Sequence, residues 1–353
     1  MIATAEELAS YLPRLAEAHR IAIDTEADSL HCYREKLCLV QIEAPGQQDG
    51  TLLDPLAGFA LAPFFDVLRG KKLVLHGADY DLRLFKRTGD FVPSEIFDTM
   101  IAARLVGRRE FSLAALVKHE FGIEMTKGSQ KANWARRPLT AQMMTYARND
   151  TRYLFQIADQ LAADLDAKGR TSWLEQSCRR LLDNVAGAET GKSREESWRI
   201  AGSGTFRGRA AALLRELWWW RDAEAAEADR PAFHILRNEE LLTTANALDA
   251  GGKLPHWRHV RGSRLERLEQ HIERALAMPS SEWPTRIRVR SERPTADMDA
   301  RAGVLKKRRD LAATDLDIDP ALIASRSVIE GIAYRNESPT EALMPWQREL
   351  LGL

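Results

Sequence analysis

The most informative segment of this chain is Arg20-Ile21-Ala22-Ile23-Asp24-Thr25-Glu26. Its short, apolar and β-branched run predicts a buried β-strand. Side chains two apart on a strand point to the same face, so the carboxylates of Asp24 and Glu26 leave the strand on one side. Two such anions repel unless a cation lies between them, and their hard oxygen ligands suit Mg²⁺ or Mn²⁺. The pattern also fits a strand that ends in two solvated acids, so other segments are needed to distinguish a metal-binding pair from a solvated strand end.

The second informative segment covers residues 72–85 and reads as a short strand that runs into a helix. Leu82 and Phe85 lie one turn apart on the buried side of this helix. Asp81 then falls in the first helical turn, where the helix dipole stabilises a carboxylate. Asp79 fits the role of a helix cap. Spacing alone leaves open which of the two acids does chemistry.

The third segment is Tyr146-Ala147-Arg148-Asn149-Asp150, inside an amphipathic stretch from about residue 139 to 166. A spacing of four places the Tyr146 hydroxyl and the Asp150 carboxylate on one helical face. By itself this pair also fits an exposed helix surface.

Together, the three segments resemble the exonuclease motifs of the DEDD superfamily, and Tyr146 is typical of its DEDDy branch. Over roughly residues 1–170 the chain also resembles the ribonuclease D family. The segments that carry this second resemblance are Ile23-Asp24-Thr25-Glu26, Leu37-Cys38-Leu39-Val40-Gln41-Ile42, Leu53-Asp54-Pro55-Leu56, Phe97-Asp98-Thr99 and Trp134-x-x-Arg137-Pro138-Leu139.

The resemblance implies a catalytic site in which two divalent ions, Mg²⁺ or Mn²⁺, assist phosphodiester hydrolysis. The implied metal ligands are Asp24, Glu26, Asp81 and Asp150. Two ions can activate the attacking water and neutralise the leaving oxygen, while the Tyr146 hydroxyl orients that water. The implied product is a nucleoside 5′-monophosphate.

The resemblance also implies residues that contact the substrate: Thr25, His76, Trp134 and Arg137. His76 stands where the wider superfamily often has Asn, and His is usual in ribonuclease D. Ala27 follows Glu26 where the bacterial enzymes often carry a bulky aromatic, so the chain departs from the pattern at a position that could stack on the substrate.

Charge is distributed unevenly along a chain whose formal net charge is zero. Residues 1–170 hold 22 Lys and Arg against 23 Asp and Glu, whereas residues 253–309 hold 15 against 7. Residues 310–353 hold 3 against 8. The basic stretch 253–309 predicts contacts with an RNA backbone, although a solvated helix face and a charged linker would give the same composition. Its clusters are Arg258, Arg261, Arg264 and Arg267, then Arg286, Arg288 and Arg290, then Lys306-Lys307-Arg308-Arg309.

Two C-terminal segments resemble HRDC domains, which are small helical modules. The first contains Trp218-Trp219-Trp220-Arg221-Asp222, and at least one of these indoles must face away from the helix's own core. The second, fainter copy begins near Leu305. We therefore predict an exonuclease domain at 1–170, a helical connector at 171–204, a first HRDC-like domain at 205–280, a linker at 281–300 and a second HRDC-like domain at 301–353.

Composition indicates an intracellular enzyme. No run approaches the ~18 apolar residues of a membrane span, and the first residues lack the pattern of a secretory signal. Cys32, Cys38 and Cys178 form an odd, sparse set without metal-ligand spacing, which favours reduced thiols in a cytoplasm. We expect a monomer. A phosphate-binding loop, a His-Glu-x-x-His motif and paired Cys-x-x-Cys zinc spacing are absent from the sequence.

These observations predict an α/β ribonuclease-H-like domain, a mixed sheet flanked by helices, followed by two all-α domains. The resemblance to ribonuclease D implies metal-dependent 3′→5′ trimming of structured RNAs such as tRNA precursors, with the RNA 3′ end in the nuclease site. Two alternatives stay open: a 3′→5′ exonuclease that acts on DNA, and a non-catalytic RNA-binding scaffold. The full set of four acids and a tyrosine speaks against the scaffold.

Overall fold

The computed structural model describes residues 1–47, 50–125, 128–188, 195–285 and 294–353. The described residues form two compact units. The first unit contains residues 1–27 and 37–187 together with the described part of 291–353. The second unit contains residues 28–36 and the described part of 188–290. A short excursion between two strands of the first unit therefore belongs to the second.

A five-stranded mixed sheet forms the centre of the first unit. Its strands are β1 (Arg20–Ala27), β2 (Leu37–Glu43), β3 (Thr51–Leu53), β4 (Lys72–Leu75) and β5 (Glu95–Asp98), in the spatial order β3-β2-β1-β4-β5. Strands β1, β2 and β3 pair antiparallel, whereas β4 runs parallel to both β1 and β5. This arrangement confirms the mixed sheet expected from the sequence.

Strand β1 is the central strand, and its burial follows its composition. Ile21, Ala22 and Ile23 are fully buried, as the β-branched run predicts. The pairing with β2 sets Asp24 opposite Gln41 and continues to a bulge between Glu26 and Ala27. Bulges are frequent beside active sites, where they redirect a side chain.

Helices flank this sheet and complete the first unit up to residue 187. They are α1 (Ala5–Glu17), α2 (Ala62–Leu68), α3 (Asp79–Gly89), α4 (Thr99–Val106), α5 (Leu113–Phe121), α6 (Ala141–Arg152), α7 (Leu154–Ala167) and α8 (Thr171–Ala186), with a 3₁₀ turn at Pro55–Ala57. Several begin at a side-chain cap, such as Thr140 before α6 and Asp98 before α4, because capping oxygens satisfy the otherwise unpaired amides of the first turn.

The second unit is helical. It contains α9 (Gly208–Glu227), α10 (Ala232–Ile235), α11 (Asn238–Asp249) and α12 (Ser263–Ala277), with 3₁₀ turns at Ser203–Thr205 and Ser280–Glu282. Trp220 is fully buried in its core, while Trp218 and Trp219 are half-buried, so the three consecutive indoles diverge as predicted. From the excursion 28–36, the Tyr33 hydroxyl donates a hydrogen bond to Asp222 over 2.8 Å.

The C-terminal helices belong to the first unit. They are α13 (Ala296–Leu316), α14 (Pro320–Ile323), α15 (Arg326–Tyr334), α16 (Pro339–Ala342) and α17 (Pro345–Leu351). Ile323 and Trp346 share one hydrophobic core with the sheet, and the Trp346 ring stacks on Trp173 with centroids 4.6 Å apart. The prediction of a separate domain at 301–353 is wrong in this respect, because these helices bury their apolar faces in the core of the first unit.

Two other predicted boundaries are corrected. Residues 171–204 are not a connector throughout, because α8 buries Leu174, Cys178 and Leu182 in the core of the first unit. The predicted linker 281–300 lies partly outside the described residues, at 286–293, and its last residues begin α13. Cys32, Cys38 and Cys178 are free and buried. In the described part of the chain, no helix has the length and apolarity required to cross a membrane.

Candidate active site

Three carboxylates meet where β1 faces helix α6. Asp24 and Glu26 extend from the same face of β1, as their spacing of two predicts, and Asp150 reaches them from α6. Each offers one oxygen, and these oxygens all lie within 4.8 Å of one another. All three side chains are half-buried. Such a cluster is the oxygen-rich environment that Mg²⁺ and Mn²⁺ prefer.

Asp81 is the fourth acid, and its position resolves the choice that the sequence left open. It is 5% exposed, accepts a hydrogen bond from the Thr25 hydroxyl, and has a pKa raised by burial and by the charge of Asp24. Asp79 points to solvent, where it forms an ion pair with Arg83 over 2.9 Å. Asp81 is therefore the acid of this segment that faces the cluster.

Burial and mutual repulsion raise the pKa values of the clustered acids. Burial raises the pKa of Glu26 to about 10, with further contributions from Asp24 and Asp150. The pKa of Asp24 rises well above its ordinary value through burial and then through Asp150. Burial also raises the pKa of Asp150 to about 7. Each shift reports a site in which negative charge lacks compensation.

The donor set therefore fits divalent cations. Across the described ranges, no Lys, Arg or His forms an ion pair with any of the four acids. Surface acids elsewhere in the unit do have cationic partners, as Asp159 does with Arg20. One buried and three half-buried carboxylates without such a partner provide the negative charge and the oxygen atoms that bound divalent ions require.

Tyr146 lies one helical turn before Asp150 on α6, and its hydroxyl is close enough to the Asp150 carboxylate for each group to shift the pKa of the other. Burial and the surrounding carboxylates raise the pKa of this phenol, so the hydroxyl stays protonated. Met143, Ala147 and Thr151 are buried on an adjoining face of α6, and the packing of that face sets the direction in which Tyr146 and Asp150 extend. The spacing of four predicted this shared face.

Asp98 is a supporting residue to which the sequence analysis gave no role. Its buried carboxylate accepts backbone N–H groups from Gly77 at 3.0 Å and Ala78 at 2.8 Å. It also caps α4 by accepting from Met100 at 2.8 Å and Ile101 at 3.1 Å. Asp98 thus fixes the turn that leads into α3 and Asp81. Its position directly before a helical segment is the signal that could have identified it.

The hydrogen bonds of His76 determine its tautomer. The Thr99 hydroxyl donates to the carbonyl of Leu75 over 3.0 Å, so its oxygen accepts from His76 Nδ1 at 2.9 Å. The neutral ring therefore carries its proton on Nδ1 and keeps Nε2 as an acceptor. Burial lowers the pKa of His76, which favours this neutral form.

Three residues predicted to contact the substrate have other partners. Thr25 is buried and its hydroxyl is engaged by Asp81. Trp134 is 1% exposed and packs within a core cluster, so its ring has no free face. Arg137 binds Asp54 and three backbone carbonyls. The prediction of direct substrate contact is wrong for both, because the buried Trp134 ring has no exposed face and Arg137 has no free donor.

Comparison with known proteins places these features in a family. A family model described as 3′-5′ exonuclease matches residues 1–166, and the HRDC domain model matches residues 210–250. Ribonuclease D of Jannaschia sp. (strain CCS1) is 31% identical over 364 residues, covering 99% of this chain and 92% of that protein. Ribonuclease D of Sphingobium indicum is 29% identical and covers 100% of this chain and 92% of that protein.

Solved structures of related proteins have the same fold as this chain. The structure of Escherichia coli RNase D, described as an exoribonuclease involved in structured RNA processing, superposes with a TM-score of 0.75 at 25% identity, over 100% of this chain and 96% of that one. The catalytic core of RRP6 from Trypanosoma brucei superposes with a TM-score of 0.65 at 26% identity, over 78% and 79% of the two chains. With an exonuclease domain, an HRDC domain and relatives matched over nearly its full length, this chain belongs to the ribonuclease D family.

Proposed function

We propose that this protein is a metal-dependent 3′→5′ exoribonuclease that trims the 3′ ends of structured RNAs such as tRNA precursors. The observation that carries the proposal is the convergence of Asp24, Glu26 and Asp150 within 4.8 Å, in a chain of the ribonuclease D family. Asp81 and Tyr146 complete the set of side chains that this chemistry uses.

Asp24, Glu26, Asp81 and Asp150 would hold two divalent ions, Mg²⁺ or Mn²⁺. When bound, such a pair of ions stabilises both the attacking and the leaving oxygen of an in-line displacement. The Tyr146 hydroxyl stays protonated beside Asp150, and its oxygen lone pairs would accept a hydrogen bond from the attacking water. His76 would accept a hydrogen bond from the substrate through Nε2. Thr25 acts through Asp81, whose orientation it fixes.

The basic stretch 253–309 would bind the RNA backbone, through fewer residues than its composition suggests. Arg264 and Arg267 both pair with the buried carboxylate of Glu224, and Arg309 pairs with Asp310. Arg286, Arg288 and Arg290 lie outside the described residues. The exposed cations of this stretch that have neither an ion-pair partner nor a side-chain hydrogen bond among the described residues are Lys253, Arg258, Arg261, Lys306 and Lys307, and we propose these as phosphate contacts.

The helices from residue 296 onward would be a second HRDC-like repeat that forms part of the first unit. Both α9 and α13 are long helices, of 20 and 21 residues. Each is followed by a four-residue helix and then by a longer one. This shared order supports an internal repeat. The monomeric state and the cytoplasmic location stay predictions.

The test compares matched RNA and DNA oligonucleotides, labelled at the 5′ end, with Mg²⁺ or Mn²⁺ and with EDTA. We expect RNA to shorten stepwise from its 3′ end, mononucleotides to be released, and EDTA to stop the reaction. Asp24→Asn should abolish the activity, while Asp66→Asn, a change at a surface ion pair with Arg69, should leave it unchanged. Faster cleavage of DNA than of RNA would instead favour a DNA exonuclease.

A further inference from the structure

We propose that Arg137 and Asp54 form a positioning pair that holds Trp134 against Tyr146 and so fixes the hydroxyl that orients the attacking water. The inference rests on the proposed function and assigns a role to two residues that do not touch the reacting atoms. It replaces the expectation that Arg137 and Trp134 contact the substrate.

The guanidinium group of Arg137 is saturated with hydrogen bonds. Nε donates to Asp54 Oδ2 at 2.6 Å, and Nη2 donates to Asp54 Oδ1 at 2.5 Å. Nη1 donates to the carbonyls of Trp134 and Arg136 at 2.7 and 2.9 Å, and Nη2 also donates to the carbonyl of Cys38 at 2.8 Å. All five N–H donors of an arginine are therefore used. A saturated, bidentate group of this kind fixes geometry and leaves no donor for a phosphate.

Asp54 is a fixed anchor for this guanidinium. Its carboxylate is buried, and its Oδ1 also accepts the backbone N–H of Leu56 at 2.9 Å, which caps the 3₁₀ turn after β3. Removing one partner would leave the other charge buried and uncompensated. The pair thus ties the loop that carries Trp134 to the end of the sheet.

The Arg137–Asp54 pair is connected to the site in two ways. The Trp134 ring lies with its centroid 6.1 Å from that of Tyr146, tilted by 40°, and its backbone carbonyl is held by Arg137. On the other side, Cys38 precedes Leu39, which pairs with Glu26 across the sheet. The Arg137 guanidinium therefore holds the loop that carries Trp134, which packs against Tyr146. It also holds strand β2, which pairs with Glu26 of the carboxylate cluster.

A double-mutant cycle tests the proposal. Arg137→Lys keeps the charge but loses the fork that binds Asp54 and the carbonyls. We expect kcat to fall by about 10- to 100-fold, since small misplacements of a catalytic group have effects of this size, while KM stays within about threefold. In a Tyr146→Phe background the same substitution should lower kcat by less than about twofold, because the hydroxyl that it positions is gone.

The matched control is Arg108→Lys. Arg108 is also a half-buried arginine, with 27% side-chain exposure against 26% for Arg137, and it pairs with Glu120 and Asp164 away from the site. It should leave kcat within about twofold of the unsubstituted protein. Equal losses of kcat from Arg137→Lys with and without the Tyr146 hydroxyl would overturn the proposal, as would a loss confined to KM.

A second measurement is independent of turnover. The chain has six tyrosines, so 3-fluorotyrosine labelling gives few ¹⁹F resonances, and Tyr146→Phe identifies the one from Tyr146. Arg137→Lys and the isosteric Asp54→Asn should both shift or broaden this resonance, while Arg108→Lys should not. An unmoved Tyr146 resonance in both variants would refute the positioning role even if the protein proved inactive. An inactive protein with a shifted resonance would count against the proposed function alone.

Discussion

At the residue scale, the four acids show how burial in one site raises the pKa values of several neighbouring carboxyl groups. Asp24, Glu26, Asp81 and Asp150 are drawn together by elements that pack for other reasons, and in each case burial is the largest contribution to the raised pKa. Protonated acids can coexist at this distance, whereas ionised acids need cations. Proton release and metal binding should therefore be linked.

The first prediction follows from this linkage. Without metal, Glu26 with a pKa of about 10 is protonated throughout the range from pH 6 to 8, and Asp150 with a pKa of about 7 is protonated in its lower half. Mn²⁺ binding must expel these protons, so the Kd should fall as pH rises, by up to about tenfold per pH unit for each proton released. Calorimetry in two buffers of different ionisation enthalpy counts the protons. A Kd that is constant from pH 6 to 8 would contradict the linkage.

The second prediction distinguishes the two acids of α3. Asp81→Asn should abolish metal-dependent turnover because Asp81 faces the cluster. Asp79→Asn should keep turnover within about twofold, because it removes only an exposed ion pair of small energetic value. Steady-state rates with circular dichroism as a folding control measure both. Loss of turnover in the Asp79 variant alone would reverse the assignment.

The third prediction concerns Tyr146. Tyr146→Phe keeps the ring that packs on Trp134 and removes only the hydroxyl. We expect kcat to fall by about 10²- to 10⁴-fold while RNA affinity is retained, since positioned proton-handling groups contribute on this order. Single-turnover kinetics and fluorescence anisotropy separate the two quantities. An unchanged kcat would reduce Tyr146 to a packing residue.

At the element scale, the site depends on how strands end and helices begin. Strand β1 ends in a bulge beside Glu26, α6 begins at the Thr140 cap and presents Asp150, and the turn before α3 is held by Asp98. Each device is local, yet together they set the directions of side chains from three elements. The sheet supplies the rigid support on which those directions are kept.

The fourth prediction tests how much the hydrogen bonds accepted by Asp98 contribute to stability. Asp98→Ala leaves four backbone N–H groups without their acceptor and should lower the free energy of unfolding of the first unit by about 3 kcal/mol. Ser112→Ala removes a single cap, the hydrogen bond to Ala115 at the start of α5, and should cost about 1 kcal/mol. Urea titration of both variants compares them. Equal losses in the two variants would show that the additional contacts of Asp98 carry no stability.

At the scale of the whole molecule, chain order and structural units do not coincide. The last helices complete the core of the unit that the first residues began, and residues 28–36 leave that unit for the other. Removal of everything after about residue 200 would therefore strip apolar cover from the nuclease core in addition to the helical second unit. Loss of activity in such a truncation would not by itself show that the second unit binds RNA.

The fifth prediction tests this shared core. Trp346 is 3% exposed and stacks on Trp173, so Trp346→Ala should lower the stability of the first unit by about 3–5 kcal/mol. Thermal unfolding with and without Mn²⁺ identifies the transition of the first unit as the one that the ion shifts. The substitution should lower the midpoint of that same transition. If a transition insensitive to Mn²⁺ moves instead, the C-terminal helices unfold as a separate domain.

Features that depend on residues close together in the chain could be predicted from the sequence alone. A β-branched apolar run fixed β1 as a buried strand, a period of two placed Asp24 and Glu26 on one face, and a spacing of four aligned Tyr146 with Asp150. These relations follow from the geometry of a strand or a helix, which is the same wherever the element lies. The order of the motifs was also sufficient to indicate the family.

Partners that are distant along the chain became apparent only in the folded protein. It turned Asp81 inward and Asp79 outward, gave Arg137 to Asp54, and paired Arg264 with Glu224. It also packed Trp346 into the core of the nuclease unit. The physical reason is that the partner of a charge or an indole depends on which surfaces meet when elements pack, and that meeting is set by segments tens to hundreds of residues away, on which local spacing carries no information.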